Sequence, residues 1–334
     1  MPGLASLSAA SCGECHPDHY ADWRRSTHAH AWVDPQLQAE MTKSENRWMC
    51  QNCHTPLMIQ QPRWPVGLAD GDVERPTWVD NPAFDPALQA EGITCAACHV
   101  RDGVLVGPTG APTSAHPTKA DPTYGKADFC LRCHQAVATY PGKTFTCTFH
   151  TGEEWAAGPY AAAGVQCQTC HMPADGERNG HAWPGGGLGK VAGETPPSLM
   201  GFAYDVKLDG FVVVVGVTNA NAGHMVPTGD PERFVRVEIA FLDAAGDVVA
   251  THEERIGQVW EWWPAPVKKS DNRLHPRERR EFRVDVPARA ARVRVVASRH
   301  RMTEEAAAHH DLLGTYPIAA EAWRTEIEVG SPAP

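Results

Sequence analysis

Hydrophobic and polar positions alternate with a period of two residues over much of the second half of the chain. Six segments show this alternation or a run of β-branched residues: 203–208, 211–218, 234–242, 247–255, 279–286 and 292–298. A period of two predicts strands with one buried face, and Gly, Asp and Pro residues separate the segments as turns do. We therefore predict an antiparallel β-sandwich of immunoglobulin-like (Ig-like) type. A short helix over 302–313 and a final strand over 323–329 complete this prediction.

The first half of the chain shows no comparable periodicity. It is rich in Pro, Gly and Ala, as in the stretch 107–113, and Pro and Gly interrupt long helices. We predict a loop-rich, mainly α-helical domain built from short helices. The Pro- and Gly-rich stretch 184–197 is typical of a linker or wrapping loop. In a chain of 334 residues, this change of pattern predicts two domains, 1–200 and 201–334.

Five copies of the motif Cys-x-x-Cys-His lie in the first domain. They are Cys12/Cys15/His16, Cys50/Cys53/His54, Cys95/Cys98/His99, Cys130/Cys133/His134 and Cys167/Cys170/His171, called motifs 1 to 5 below. The composition alone would give roughly 0.02 such motifs in the chain. The motif is typical of c-type haem attachment, in which the two thiols add to the vinyl groups and the His is the proximal iron ligand. The sequence therefore predicts five haem c groups on residues 1–200.

Two other uses of paired cysteines fit this pattern less well. Structural zinc sites take two Cys-x-x-Cys pairs each, yet five pairs cannot be matched in twos, and zinc gives no reason for a His after every second Cys. A disulfide framework is typical of much shorter chains. Ten of the eleven cysteines belong to the motifs, and the remaining one, Cys147, is expected to be a small buried residue.

The charge and the haem chemistry together limit location and partners. The formal net charge is -10, and each haem would add two propionates, which argues against nucleic acid as a partner. Covalent haem attachment takes place outside the cytoplasm, so we expect a periplasmic or extracellular protein, although residues 1–11 do not resemble a signal peptide. No apolar run is long enough to predict a transmembrane segment.

The sixth iron ligand decides whether a haem transfers electrons or binds small molecules, because two protein ligands leave no open position. Twelve histidines remain outside the motifs. We predict five of them as distal ligands: His28, His30, His116, His181 and His224. His150 and His19 rank behind these, and Met41, Met49 or Met58 could also serve. The remaining histidines, His252, His275, His300, His309 and His310, are expected at the surface.

Several stretches of the chain resemble one family. Cys12-Gly-Glu-Cys-His-Pro followed by Trp23-Arg-Arg-Ser-Thr-His-Ala-His-Ala is similar to the start of multihaem c-type cytochromes related to the tetrahaem electron carriers of ammonia oxidation. The segments 154–173 and 181–186 resemble their later haem region, and 222–229 resembles a loop of a β-sandwich appended to some members. The resemblance implies that His28 is a distal ligand and that His224 caps a haem. This chain has five motifs where those carriers have four.

These inferences favour an electron-transfer protein over an enzyme. We predict that five mostly bis-His haems carry electrons to or from other redox proteins or an extracellular acceptor. One alternative is a subunit of an extracellular cytochrome filament, or nanowire, formed by self-assembly. Another is a redox enzyme in which one open haem acts on nitrite, hydroxylamine or a sulfur oxyanion. In that case His150, Cys147, Arg132 or Lys143 could line the pocket.

Overall fold

The computed structural model describes residues 6–42, 47–112, 116–140, 146–176, 178–191, 193–199, 201–262 and 264–330. The chain forms two compact units that alternate along the sequence. Unit 1 comprises Met1–Cys133, Gln166–Leu199 and Ala308–Pro317, and unit 2 comprises His134–Val165, Met200–Ala307 and Ile318–Pro334. Within the described ranges, no helix is long and apolar enough to span a membrane.

The helices are short. They are α1 (Ala9–Gly13), α2 (Pro17–Arg24), α3 (Pro35–Met41), α4 (Arg47–His54), α5 (Pro86–Ala90), α6 (Cys95–His99), α7 (Ala127–His134), α8 (Thr151–Ala156), α9 (Pro159–Ala162), α10 (Cys167–His171) and α11 (Glu304–His309). Single 3₁₀ turns occur at Met58–Gln60, Ala69–Gly71 and Pro122–Gly125. Side-chain caps begin several helices, since Ser8, Asp34 and Asp85 each accept a hydrogen bond from a backbone N–H of the first turn. The prediction of short helices around the motifs is confirmed.

The strands occur in both halves of the chain. They are β1 (Arg63–Leu68), β2 (Pro76–Asp80), β3 (Val100–Arg101), β4 (Val104–Gly107), β5 (Ala111–Pro112), β6 (Pro117–Ala120), β7 (Gln135–Thr139), β8 (Thr146–His150), β9 (Ala174–Asp175), β10 (Arg178–Asn179), β11 (Phe202–Asp209), β12 (Val212–Asn219), β13 (Phe234–Leu242), β14 (Val248–Glu261), β15 (Val267–Asp271), β16 (Arg279–Asp285), β17 (Arg292–His300) and β18 (Ala319–Glu328). The first ten form small sheets of two to four strands, which the sequence pattern did not predict.

Two antiparallel sheets make up most of unit 2. One has the strand order β11-β12-β16, and the other has the order β15-β14-β13-β17-β18. Both contribute alternate residues to one hydrophobic core, with Val215 from the first sheet and Ile239 and Val295 from the second fully buried. Burial of this kind explains the period-two pattern, because alternate side chains of a strand point to opposite faces.

The predicted strands of the second half agree with the structure to within a few residues, with two exceptions. Strand β14 runs on to Glu261, six residues beyond the predicted end, and β15 was not predicted. All five residues of β15 are exposed, so this strand has no buried face and its sequence shows no alternation of hydrophobicity. The predicted helix over 302–313 is shorter in the structure, where α11 ends at His309 and Asp311 has a positive φ of 56°.

The two units do not divide the chain at one point. A junction lies between Leu199 and Met200, where the sequence predicts a domain boundary, but 134–165 belongs to unit 2 and 308–317 to unit 1. Hydrogen bonds show how both segments are held. Arg273 donates to Glu154 within unit 2, and the Tyr316 hydroxyl donates to Asp34 within unit 1, with an O···O distance of 2.7 Å.

Candidate haem-binding sites

The structure brings cysteines of different motifs into contact within unit 1. The Cys12 thiol hydrogen-bonds with Cys95, Cys130 with Cys167, and Cys133 with Cys53. These contacts join motif 1 to motif 3, motif 4 to motif 5, and motif 2 to motif 4. A hydrogen bond donated by the partner thiol stabilises the thiolate and lowers the pKa of Cys12, Cys133 and Cys167 to about 7 in each case.

Burial has the largest effect on the thiols of two other motif cysteines. Burial raises the pKa of the Cys50 thiol to about 11 and that of Cys98 to about 11. Cys15 and Cys170 are exposed. In motifs 2 to 5 the two cysteines lie on one short helix that ends at the motif His, so each motif presents its thiols and imidazole from one rigid element.

Three motif histidines are oriented by backbone carbonyl groups. Nδ1 of His54 donates to the carbonyl of Ala31 (2.8 Å), and Nδ1 of His99 donates to that of Val106 (2.9 Å). His171 Nδ1 makes the same bond to Pro184, at 2.7 Å. Because a carbonyl oxygen can only accept, Nδ1 must carry the proton and Nε2 must carry the lone pair. This is the tautomer and the orientation that a metal-binding imidazole takes.

Burial also keeps motif histidines in the form that binds iron. It is the main cause that lowers the pKa of His54 to about 4, and it lowers the pKa of His99 as well. A metal binds the neutral imidazole, so a histidine that stays neutral needs no proton release before ligation. The donor set of thiol pairs with a neutral, oriented imidazole therefore fits haem c.

Two predicted distal ligands lie at a distance from motif histidines that is typical of two imidazoles bound to one metal ion. The ring centres of His116 and His16 are 6.1 Å apart, and those of His181 and His99 are also 6.1 Å apart. Two imidazoles on opposite sides of one metal ion should lie about 6 Å apart, given metal–nitrogen bonds of about 2 Å and about 1 Å more to each ring centre. Both pairs match the separation that shared ligation of one iron requires. The pair His16–His19 matches it as well, with ring centres 6.0 Å apart.

His181 and His224 repeat the hydrogen-bond arrangement of the motif histidines. Nδ1 of His181 donates to the carbonyl of Asn179, and Nδ1 of His224 donates to that of Met225, both at 2.8 Å. Burial lowers the pKa of His181 to about 4. The loop that carries His224 is fixed by Asn219, a fully buried residue whose Nδ2 donates to the His224 carbonyl at 2.9 Å. The loop sequence indicates a role for His224, but it gives no sign of the role of Asn219 in holding the loop.

The other histidines differ in which ring nitrogen is engaged. Nε2 of His30 lies 3.0 Å from a carboxylate oxygen of Glu194, a contact that ligation through Nε2 would have to break. His150 uses both nitrogens, with Nε2 bonded to Thr148 and Nδ1 to Glu153. In His252, His300 and His310, Nε2 contacts a protein oxygen. The assignment of His30 as a ligand thus remains a prediction, with less geometric support than that of His116 or His181.

Two of the residues considered for an open catalytic haem have identified neighbours within their own unit. Arg132 lies over the Phe129 ring, 5.1 Å from its centre, and Cys147 lies in β8 opposite Ala138. Lys143 lies outside the described residues. Among the methionines considered as ligands, Met58 is 62% exposed.

His300, which is not a predicted ligand, packs against an aromatic ring in the second half of the chain. It stacks on Phe234 with ring centres 4.4 Å apart and planes at 11°. Burial, helped by the nearby Arg236 and Arg255 charges, lowers its pKa to about 4.

Comparison with known proteins agrees with this reading. Residues 11–70 match the family model described as cytochrome c554 and c-prime. The crystal structure of a penta-heme cytochrome c552 from Thermochromatium tepidum matches with a TM-score of 0.70 and 21% sequence identity, covering 96% of this chain and 98% of that chain. A hypothetical protein from Pyrococcus horikoshii OT3 and an oxidised superoxide reductase match at TM-scores of 0.18 and 0.19, each with 12% identity over 39% of this chain, covering 88% and 86% of theirs. No curated protein matches the chain.

The two stronger matches bear on different parts of the chain. The family match covers the first motif and the second, with His28 and His30 between them, and the structural match extends the likeness of fold over nearly the whole chain. Residues 11–70 are similar to the cytochrome c554 and c-prime family, nearly the whole chain has a fold like that of the penta-heme cytochrome c552, and haem c is the cofactor that both matches support.

Proposed function

We propose that the protein carries electrons through five covalently bound haems, most of them held by two histidines. The observation that carries this proposal is the 6.1 Å ring separation in the pairs His16–His116 and His99–His181. An iron closed by two imidazoles has no position for a substrate, which favours electron transfer over catalysis. Haem supplies the redox-active iron, and the chain's own residues set its ligands, its spacing and its exposure.

The contacts between motifs support close packing of the five cofactors. Thiol contacts connect motif 1 to motif 3, motif 2 to motif 4 and motif 4 to motif 5. The charge of Cys133 also acts on Cys98, which relates motif 4 to motif 3. All five anchors thus belong to one connected group, as an electron carrier with a continuous path would need. The structural neighbour, described as a penta-heme cytochrome, is consistent with five haems here.

We propose that the distal iron ligands are His28, His30, His116, His181 and His224. In this proposal His116 binds the iron of the haem on motif 1, and His181 binds the iron of the haem on motif 3. The support is strongest for these two. For His224, support comes from the bond of Nδ1 to a carbonyl, which leaves Nε2 as the ligating nitrogen. His28 is supported by its place beside Trp183, which also contacts His181.

The second half of the chain, 201–334, is proposed to be an Ig-like β-sandwich appended to a cytochrome domain over 1–200. The strand orders support this. In chain order, β11, β12 and β16 take the places of strands A, B and E, while β15-β14-β13-β17-β18 takes the order C″-C′-C-F-G. The fold itself does not give this half a function. We propose that its role is to carry the distal ligand His224.

We propose that the protein acts in the periplasm or outside the cell, because haem is attached to such motifs after export. Its partners would be other redox proteins or an extracellular electron acceptor. The formal net charge of -10 favours partners that present a basic surface.

Carbon monoxide tests the proposal cheaply, because it binds reduced haem only where the sixth position is open or weakly held. We expect an oxidised absorption spectrum dominated by low-spin haem and almost no spectral change when carbon monoxide is added to the reduced protein. His116→Ala serves as the matched control and should gain one binding site. Carbon monoxide binding by several haems of the unaltered protein would contradict the proposal.

A further inference from the structure

A short segment of unit 1 presents one of the proposed distal ligands under strain. We call residues 178–183 the strap. Within it, Trp183 has a φ of 42°, in the left-handed region that bulky side chains rarely adopt. Such a conformation persists only when the surrounding contacts fix it, and such residues cluster at functional sites.

The Trp183 indole lies against two histidines. Its ring centre is 4.6 Å from that of His28 and 5.3 Å from that of His181, with interplanar angles of 71° and 75°. Both contacts are edge-to-face, the geometry that aromatic pairs prefer. The same side chain packs against the buried group formed by Ala9, Trp23 and Ala29. One anchored indole therefore restricts the rotation of two imidazoles.

A buried carboxylate anchors the strap. Asp22 is 7% exposed, and its Oδ2 accepts hydrogen bonds from the Arg178 guanidinium at 2.6 Å and from the backbone N–H of His181 at 3.1 Å. Arg178 also bonds to Asp175 at 2.6 Å, and Gly180 N–H donates to the Pro173 carbonyl at 2.9 Å. The strap is thus tied at its start and at His181, two residues before Trp183, which limits how far the backbone that leads to Trp183 can move.

We infer that Trp183 is a positioning residue that fixes the ring planes of His28 and His181, and that Asp22 holds the strap that carries it. This inference rests on the proposed function, because it takes both histidines as iron ligands. Neither Trp183 nor Asp22 would touch iron. Their effect would be on the angle of an imidazole plane and on the strength of its bond to the metal.

The low-temperature electron paramagnetic resonance spectrum of the oxidised protein provides the readout, since the g-values of low-spin haem depend on the orientation of the two axial ring planes. His28→Ala and His181→Ala first identify the two signals concerned. Trp183→Leu removes the indole and should shift those two signals and leave the other three. Trp183→Phe keeps a ring and should shift them less. Trp64→Leu is the matched control, because the Trp64 indole donates to the Met58 carbonyl and should leave all five signals in place.

Asp22→Asn keeps the shape of the side chain and weakens its bonds to Arg178 and the His181 N–H, so the His181 signal should shift. The inference is overturned if Trp183→Leu shifts no signal, or if it shifts signals other than those of His28 and His181. If His28→Ala and His181→Ala both leave five low-spin signals, the proposed ligation itself fails, and the inference fails with it. Far-ultraviolet circular dichroism of each variant shows whether the fold is retained.

Discussion

Arg273 offers a sharp test of how unit 2 holds the loop that carries His224. Its guanidinium bonds to Glu154 Oε1 at 2.5 Å and makes two bonds of 2.9 Å to Asp271. The side chains of Arg273 and Glu154 are only 6% and 5% exposed. The other carboxylate oxygen of Glu154 accepts a hydrogen bond from Thr228 at 2.6 Å, four residues after His224. The pair therefore links α8 to this loop.

We expect Arg273→Met to destabilise unit 2 by about 3–5 kcal/mol, because the change leaves the Glu154 carboxylate buried without its counter-charge. Glu154→Gln in the same background should restore part of the loss, because it removes the charge left unpaired. The control is Arg279→Met. Arg279 bonds to Asp205 and Glu281 but is 37% exposed, so its loss should cost at most about 1 kcal/mol.

Native-state hydrogen exchange of the β13 amides measures this cost, since the slowest amides of a core strand report the opening of the whole unit. The spectrum gives a second readout, because a displaced loop should weaken the proposed His224 ligation and raise the number of haems that bind carbon monoxide by one. A loss below about 1 kcal/mol in Arg273→Met would refute the reasoning, since it would mean that the buried carboxylate does not depend on the guanidinium.

Three further predictions concern other parts of the chain. The folded-state pKa of His300 is about 4 against an ordinary value of 6.5. The unfolded chain therefore binds more protons at this site between these values. His300 alone should contribute a loss of about 1–2 kcal/mol in unfolding free energy when the pH falls from 6.5 to 4, and His300→Phe should reduce the total loss by that amount. Gly158→Ala would place a Cβ 2.9 Å from a backbone oxygen and should lower stability in thermal unfolding by about 1–3 kcal/mol. Gly125→Ala, which meets nothing within 4 Å, should change it by less than about 0.5 kcal/mol, and equal effects would contradict the steric argument. His150→Ala should leave carbon monoxide binding unchanged, whereas His116→Ala should add one site. A gain in His150→Ala would contradict the inference that a histidine whose Nε2 is bonded to a protein oxygen is not an iron ligand.

The strands of the second half were predictable because each buries alternate residues in one core. The run of β-branched residues in β12 and the alternation in β13 and β17 are direct consequences of that burial. Strand β15 could not be predicted from the hydrophobic pattern, since it pairs with β14 through its backbone while all its side chains are exposed. A strand without a buried face leaves no mark in the hydrophobic pattern.

The haem anchors were predictable for a different reason, namely that covalent attachment needs two thiols and an imidazole at fixed spacing. The residues that position the proposed distal ligands were not predictable. Asp22 and Arg178 are 156 residues apart, and nothing in either local sequence indicates that they meet. The left-handed conformation of Trp183 likewise depends on surrounding contacts rather than on its own residue type.

The most direct test of the account is a structure of the haem-loaded protein in which the five irons and their axial ligands are resolved. Nε2 of His16 and Nε2 of His116 should bind one iron, and Nε2 of His99 and Nε2 of His181 should bind another. A water molecule, a methionine or a different histidine opposite His16 or His99 would contradict it.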